Sequence, residues 1–347
     1  MCFNFGYAQQ YNFKNYSVEN GLPYVQIFAM HQDHQGYLWS GGYGGLSQFN
    51  GKIFKNFSPK NGLANHYVNA ITQDKNDRII AGTIEGLSII YKNKIINRNE
   101  KNGLSNKNIN ALCVDKDNIV WIGTNKGLCK LINDSIYCEN DFKIEKIICL
   151  LNTPLGLCIG TENGLYIKNK TTQLYITENG LSSNTILSLA YNKSKNQIYI
   201  GTQNGLGILN TLTNQIVNFH VSNGLLDEAV TSIAIDALSN VWIGSKNGLV
   251  SFDDKEFSYY TIGLDYNSNN ISTLLVDAED NLWIGTHSGL FKYRGKGFTT
   301  YGKQEDLGAA FIYDINQDKN KNLWVTTENN GAYKFENGYF KNYSVKK

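Results

Sequence analysis

One box of residues recurs eight times along this chain, and no other feature restricts the available folds as strongly. Its clearest copy is Trp283-Ile-Gly-Thr-His-Ser-Gly-Leu290, and the copies begin at Trp39, Ile80, Trp121, Cys158, Tyr199, Trp242, Trp283 and Trp324. Successive starts lie 41, 41, 37, 41, 43, 41 and 41 residues apart. A period in this range marks a repeat architecture, because one unit cannot bury its apolar face without its neighbours. Eight copies account for nearly all of the 347 residues.

Each unit divides into four short strands, A to D. Strand A runs into an Asp, as in Val68 to Asp74 and Val230 to Asp236, with an apolar residue three positions before it. The Asp leads an Asx-turn. Strand B is the Trp-Ile-Gly-Thr run. An Asn-Gly, Lys-Gly or Ser-Gly pair follows, whose positive φ suits a tight hairpin. Strand C starts at the Gly-Leu, and strand D is aromatic, as in Phe54 to Phe57 and Phe257 to Thr261. With 33 Gly against 3 Pro and an aromatic content of 12%, the composition agrees with hairpins.

The expected fold is therefore all-β: a β-propeller of four-stranded antiparallel blades. Phe13 to Val18 recurs almost letter for letter as Phe340 to Val345, so residues 13–17 are expected to complete the last blade and seal its edge. Two counts fit eight repeats: an eight-bladed ring, the one favoured here, or a seven-bladed ring plus one extra unit. Residues 11–347 read as a single propeller. Residues 1–10 read as the remnant of a signal peptide, with Gly6-Tyr7-Ala8 as a small-x-small cleavage site, or as a plain N-terminal tail.

Composition excludes other classes. A net charge of +2 offers no field for a phosphate backbone, so nucleic acid is not expected as a partner. No apolar run approaches the ~18 residues of a membrane span. Cys113, Cys129, Cys138, Cys149 and Cys158 contain no CxxC pair, which indicates neither a zinc cage nor a disulfide framework. Cys113, Cys149 and Cys158 stand where other repeats place apolar residues. Asp115 and Asp117 lack the Gly and distal Glu of a calcium loop and fit an Asx-turn better. No metal or cofactor is expected.

In an up-and-down blade, the B–C turns and the D–A links emerge on one face, where loops from every blade converge at the channel mouth. Residues there able to hydrogen-bond or stack on a ligand are Tyr24, Gln26, His66, Tyr67, Asn106, Lys107, Asn184, Glu228, Tyr266 and Asn269. Asn and Asp at such positions are also ordinary turn formers. Trp39, Trp121, Trp242, Trp283 and Trp324, fixed at one strand position, read as packing residues and not as a stacking platform.

The unit, an Asn-Gly-Leu, an apolar strand ending in Asp, then Asn-Leu-Trp-Ile-Gly-Thr and Gly-Leu, resembles the two-component regulator propeller repeat. Asp277 to Leu290, Asp115 to Leu128 and Asp236 to Leu249 match it closely, and the resemblance spans residues 13–345. It implies an extracytoplasmic, periplasmic sensor of a membrane-bound histidine kinase, typical of the Bacteroidetes group, often tuned to oligosaccharides. It further implies a kinase and response-regulator module as partner, with a second copy of the chain as a further candidate partner. The fourth unit departs from the pattern by lacking both Asn-Gly-Leu and Trp, and the eighth by losing the second half of its box. No kinase motif occurs in the chain.

Two rival readings follow from the same face. Streptogramin lyases are propellers with a similar repeat that use a loop-face His and magnesium, and His66 and His287 map to that face here. They are not on adjacent blades in sequence, and no carboxylate cluster accompanies them. A protein-interaction scaffold would use the same surface for protein. The preferred expectation is a ligand-sensing propeller without catalysis of its own.

Overall fold

A computed structural model describes residues 13–92, 94–139, 146–293, 312–319, 322–328, 330–336 and 339–343. The expected cleavage site at residues 1–10 lies outside them. Eight four-stranded antiparallel sheets form, each in the order A-B-C-D. The first comprises Ile27–Gln32, Leu38–Gly42, Gly45–Phe49 and Phe54–Phe57. The chain divides after Gly295 into two compact units, a boundary inside the span read from sequence as one propeller.

The first unit is a closed ring of seven blades. Each strand A packs against strand A of the next blade, and that of blade 7, Ile271–Val276, packs against that of blade 1. Blade 7 takes its outer strand from the start of the chain: Phe13–Tyr16 pairs antiparallel with Leu290–Tyr293, Phe13 opposite Tyr293 and Tyr16 opposite Leu290. Of the two counts compatible with the sequence, the structure thus takes seven blades plus one. Residues 13–17 complete the seventh blade and not, as expected, the last, because Tyr16 finds its packing partners on both sides of that seam. Its ring lies 5.8 Å from Trp283 and 5.0 Å from Phe49 of blade 1.

The box glycine shows why neighbouring blades fit. A Cβ on Gly82 would lie 2.5 Å from Ile109 Cγ2 of the next blade, and one on Gly123 equally close to Ile147. The following Thr works on the hairpin: Thr124 Oγ1 donates to Gly127 O at 2.9 Å and accepts the Lys126 N–H at 3.0 Å. Thr83, Thr161, Thr202, Ser245 and Thr286 repeat the donation.

The second unit holds the eighth blade: Ile312–Gln317, Leu323–Thr327, Ala332–Glu336 and Tyr339–Asn342. Its own small core is Val325, Tyr333 and Phe340. An exposed Thr326 stands where the ring blades keep the box glycine.

Candidate functional site at the loop face of the ring

The loop face is built from the Asn-Gly-Leu links. In each of five links a 3-10 turn is closed by its Asn, whose Oδ1 accepts a backbone N–H three residues back, as Asn61 does from Ser58 at 3.2 Å. The Gly that follows adopts positive φ, +98° at Gly62, and the Leu drops into the core between blades. The chain then rises to strand A alongside the B–C turn of the same blade. Backbone bonds tie the two together, from Ile84 N to Tyr67 O, Asn125 N to Asn108 O, Gln203 N to Thr185 O and His287 N to Asn270 O. D–A links and B–C turns therefore share a face, as the strand count required.

On blades 7, 1 and 2 this face gathers aromatic rings. Phe28 stacks on Tyr67 at 5.1 Å, Tyr43 meets Tyr67 edge-on at 4.5 Å and Phe28 edge-on at 4.9 Å, and Tyr24 flanks Tyr43 at 6.0 Å. His287 of blade 7 lies edge-on to Phe28 at 6.4 Å, with its Nδ1 3.4 Å from Asn270 Nδ2. Burial, then the Lys246 charge, holds the His287 pKa below its ordinary value, which favours the neutral ring. Burial, then the hydrogen bond with Tyr43, pushes the Tyr67 hydroxyl up to about 12. Only closure at seven blades makes this arc continuous, since it sets blade 7 beside blade 1.

The arc brings together Tyr24 and Tyr67 of the expected residues, with His66 exposed beside Tyr67 and the Gln26 backbone against Gly42, next to Tyr43. Phe28 and Tyr43 were missed. Phe28 is the extra residue of a β-bulge, where the register slips between Ile27 and Ala29, and such slips leave no mark in the sequence. Tyr43 did carry a signal, as the first residue of a B–C turn on the correct face.

The remaining residues lie elsewhere on the face, most of them engaged. Asn106 Oδ1 accepts the Asn108 N–H at 2.9 Å, Asn184 Oδ1 that of Thr177 at 2.8 Å, and Asn269 Oδ1 that of Ile262 at 3.0 Å. Lys107 is paired with Glu85 at 2.8 Å, and Glu228 faces His220 Nδ1 at 3.2 Å. Tyr266, 61% exposed, opens a separate cleft of 350 Å³ beside Lys246 and Asn269. The tryptophans are inside: Trp39, Trp121, Trp242 and Trp283 are buried and Trp324 half-buried, each indole N–H bonded to the Asp six residues earlier. Among the described residues, no three His, Cys, Asp or Glu side chains are grouped to hold a metal ion.

The cysteines depart from the expectation in one respect. Cys129 and Cys138, directly opposed on strands C and D of blade 3, form a disulfide, which nine residues of spacing concealed until the strand register was known. Cys158 is buried, and Cys113 and Cys149 are half-buried.

Residues 21–44, 103–126, 265–288 and 306–329 match the two component regulator propeller family. These are two-component regulator propeller repeats. No curated protein matches the chain. Among solved structures, the chain is similar to a protein assigned as the extracellular domain of the hybrid two component system BT3049 from B. thetaiotaomicron, at 20% identity and a TM-score of 0.73. That likeness covers 96% of this chain and 49% of the other. The extracellular domain assigned to BT4673 of the same organism gives 18% identity, a TM-score of 0.70 and coverages of 96% and 54%. The chain thus spans about half the length of both domains. A streptogramin B lyase is similar at 12% identity and a TM-score of 0.66, over 81% of this chain and 97% of the lyase. At these identities the likeness is one of fold. No helix of the described residues is long and apolar enough to cross a membrane.

Proposed function

We propose that the ring is the ligand-binding sensor of a two-component signalling system, that it works outside the cytoplasmic membrane, and that its ligand is a carbohydrate. The observation that carries this reading is the cluster of Phe28, Tyr43 and Tyr67 on the loop face, with Tyr24, Asn270 and His287 around it. Aromatic faces stack on the apolar faces of sugars, while amide, hydroxyl and imidazole groups bond their hydroxyls. The disulfide of blade 3 agrees with an oxidising compartment. Binding would act by favouring one arrangement of a partner histidine kinase module, so the ring itself performs no chemistry.

The test is titration calorimetry of the full chain with neutral and acidic oligosaccharides, repeated on Tyr43→Ala and Tyr67→Ala. The reading expects heat of binding that both substitutions weaken at least tenfold, with the melting temperature nearly unchanged. Absence of binding to every oligosaccharide, or binding indifferent to both substitutions, rejects it.

A further inference from the structure

Cys129 and Cys138 occupy positions that blades 1 and 2 fill differently. There Ser47 stands opposite Asn56, and Ser88 opposite Asn97, at the same spacing of nine, with the serine hydroxyl donating to the amide oxygen at 2.8 Å. The amide N–H in turn donates at 2.9 Å to the glycine carbonyl of the preceding link, Gly21 or Gly62. Blade 3 keeps the glycine carbonyl of that network and adds a serine hydroxyl where blades 1 and 2 have Pro23 and Ala64. Gly103 O lies 3.2 Å from Cys138 Sγ, and Ser105 Oγ lies 3.3 Å from Cys129 Sγ. Two thiols can donate to both acceptors, whereas a disulfide has no S–H to give. The pair therefore has a hydrogen-bonded seat when reduced and a covalent one when oxidised, in the same strand register.

Access is one-sided, because Cys129 is fully buried and Cys138 only half-buried. We propose that Cys129–Cys138 is a reversible thiol–disulfide exchange site, entered at Cys138 by a dithiol partner, that sets how firmly the Gly103 to Lys107 link is held beneath the loop face.

In reduction, a partner thiolate attacks Cys138 Sγ. The Sγ–Sγ bond breaks, and Cys129 leaves as a thiolate that takes up a proton. The partner's second thiolate then attacks its own sulfur in the mixed disulfide, releasing Cys138 as a thiol and leaving the partner as a disulfide. Two electrons and two protons pass to the cysteine pair, and a disulfide-bearing partner runs the same steps backwards. The free thiols of the ring do not compete. Burial pushes Cys113 up to about 11 and Cys158 up to about 12, and raises Cys149 also, so little of the reactive thiolate forms. The affected link reaches the loop face through Lys107, whose ammonium bonds Glu85.

The experiment poises the full chain in dithiothreitol or in oxidised glutathione, alkylates it in the native state, maps the peptides by mass spectrometry and records melts in parallel. The expected result is a disulfide between residues 129 and 138 that converts to two thiols in dithiothreitol. The melt stays cooperative but falls by a few degrees, and native labelling at the pair is confined to Cys138. The double variant Cys129→Ser with Cys138→Asn, which installs the blade 1 pair, should melt alike in both buffers. The proposal is overturned if no disulfide forms, if reduction abolishes the cooperative melt or leaves it unmoved, or if the double variant still responds to reductant as the native chain does. Should the double variant fail to fold, the peptide map and melts of the native chain decide alone.

Discussion

Asp33 Oδ2 accepts the indole N–H of Trp39 at 2.7 Å, across a turn of six residues. Its other oxygen accepts the backbone N–H groups of Gln35 and Tyr37, at 3.0 and 2.9 Å. A single carboxylate thus closes the A–B turn and fixes the largest side chain of the blade. The pairs Asp115–Trp121, Asp236–Trp242, Asp277–Trp283 and Asp318–Trp324 repeat it at 2.7 to 3.1 Å. Replacing Trp39 by Phe keeps most of the apolar surface but leaves a buried acceptor without its donor, a cost of about 1–3 kcal/mol. The denaturant midpoint should fall with little change in slope. An unmoved midpoint would show that the indole N–H bond adds nothing to packing.

Blade 2 solves the same problem with another donor. Ile80 replaces the tryptophan, and Arg78 Nε donates to Asp74 Oδ2 at 2.6 Å while its Nη1 reaches Asp134 of blade 3 at 2.8 Å. Asp74 is wholly buried. Arg78→Met should therefore cost more than Trp39→Phe, about 3–5 kcal/mol, since it strands a buried charge. Adding Asp74→Asn should recover part of the loss in the same denaturation assay.

Much of this was legible in the letters. The period placed the blades, and the Asp before each box placed the Asx-turns, because both follow from contacts inside one unit. The blade count was not legible. Phe13 to Tyr16 and the copy beginning at Phe340 spell nearly the same strand, and only three-dimensional packing of Tyr16 against Trp283 selects the seventh blade. The site was half legible. Tyr67 and Tyr24 could be assigned to the correct face, but Asn106, Asn184 and Asn269 proved to be bonded to backbone, as turn chemistry demands of such residues. The pairing of Cys129 with Cys138 was not legible, because it depends on the register of strands C and D.

Acid should weaken the ring through His31. Burial, partly opposed by the Asp33 charge and reinforced by His34, lowers its pKa from 6.5 to about 4. The folded state therefore prefers the neutral ring. The corresponding stability is present above pH 6.5 and is lost as the pH falls from 6.5 through 4, by about 3 kcal/mol in all. Unfolding free energies measured across this window should slope downward toward acid in the native chain and run flatter in His31→Phe.

Closure of the ring at the seventh blade is what sets His287 against Phe28 and makes the loop-face arc continuous, so it is the relationship to measure. Asn15 stands opposite Phe291 on blade 7, while the equivalent strand C position of the eighth blade is Tyr333, opposite Asn342. Oxidative cross-linking of the double variants Asn15→Cys with Phe291→Cys and Asn15→Cys with Tyr333→Cys, read by peptide mapping, separates the two closures. Seven-bladed closure predicts an efficient 15–291 cross-link and none between 15 and 333. A 15–333 cross-link in its place would contradict the ring and the site built on it.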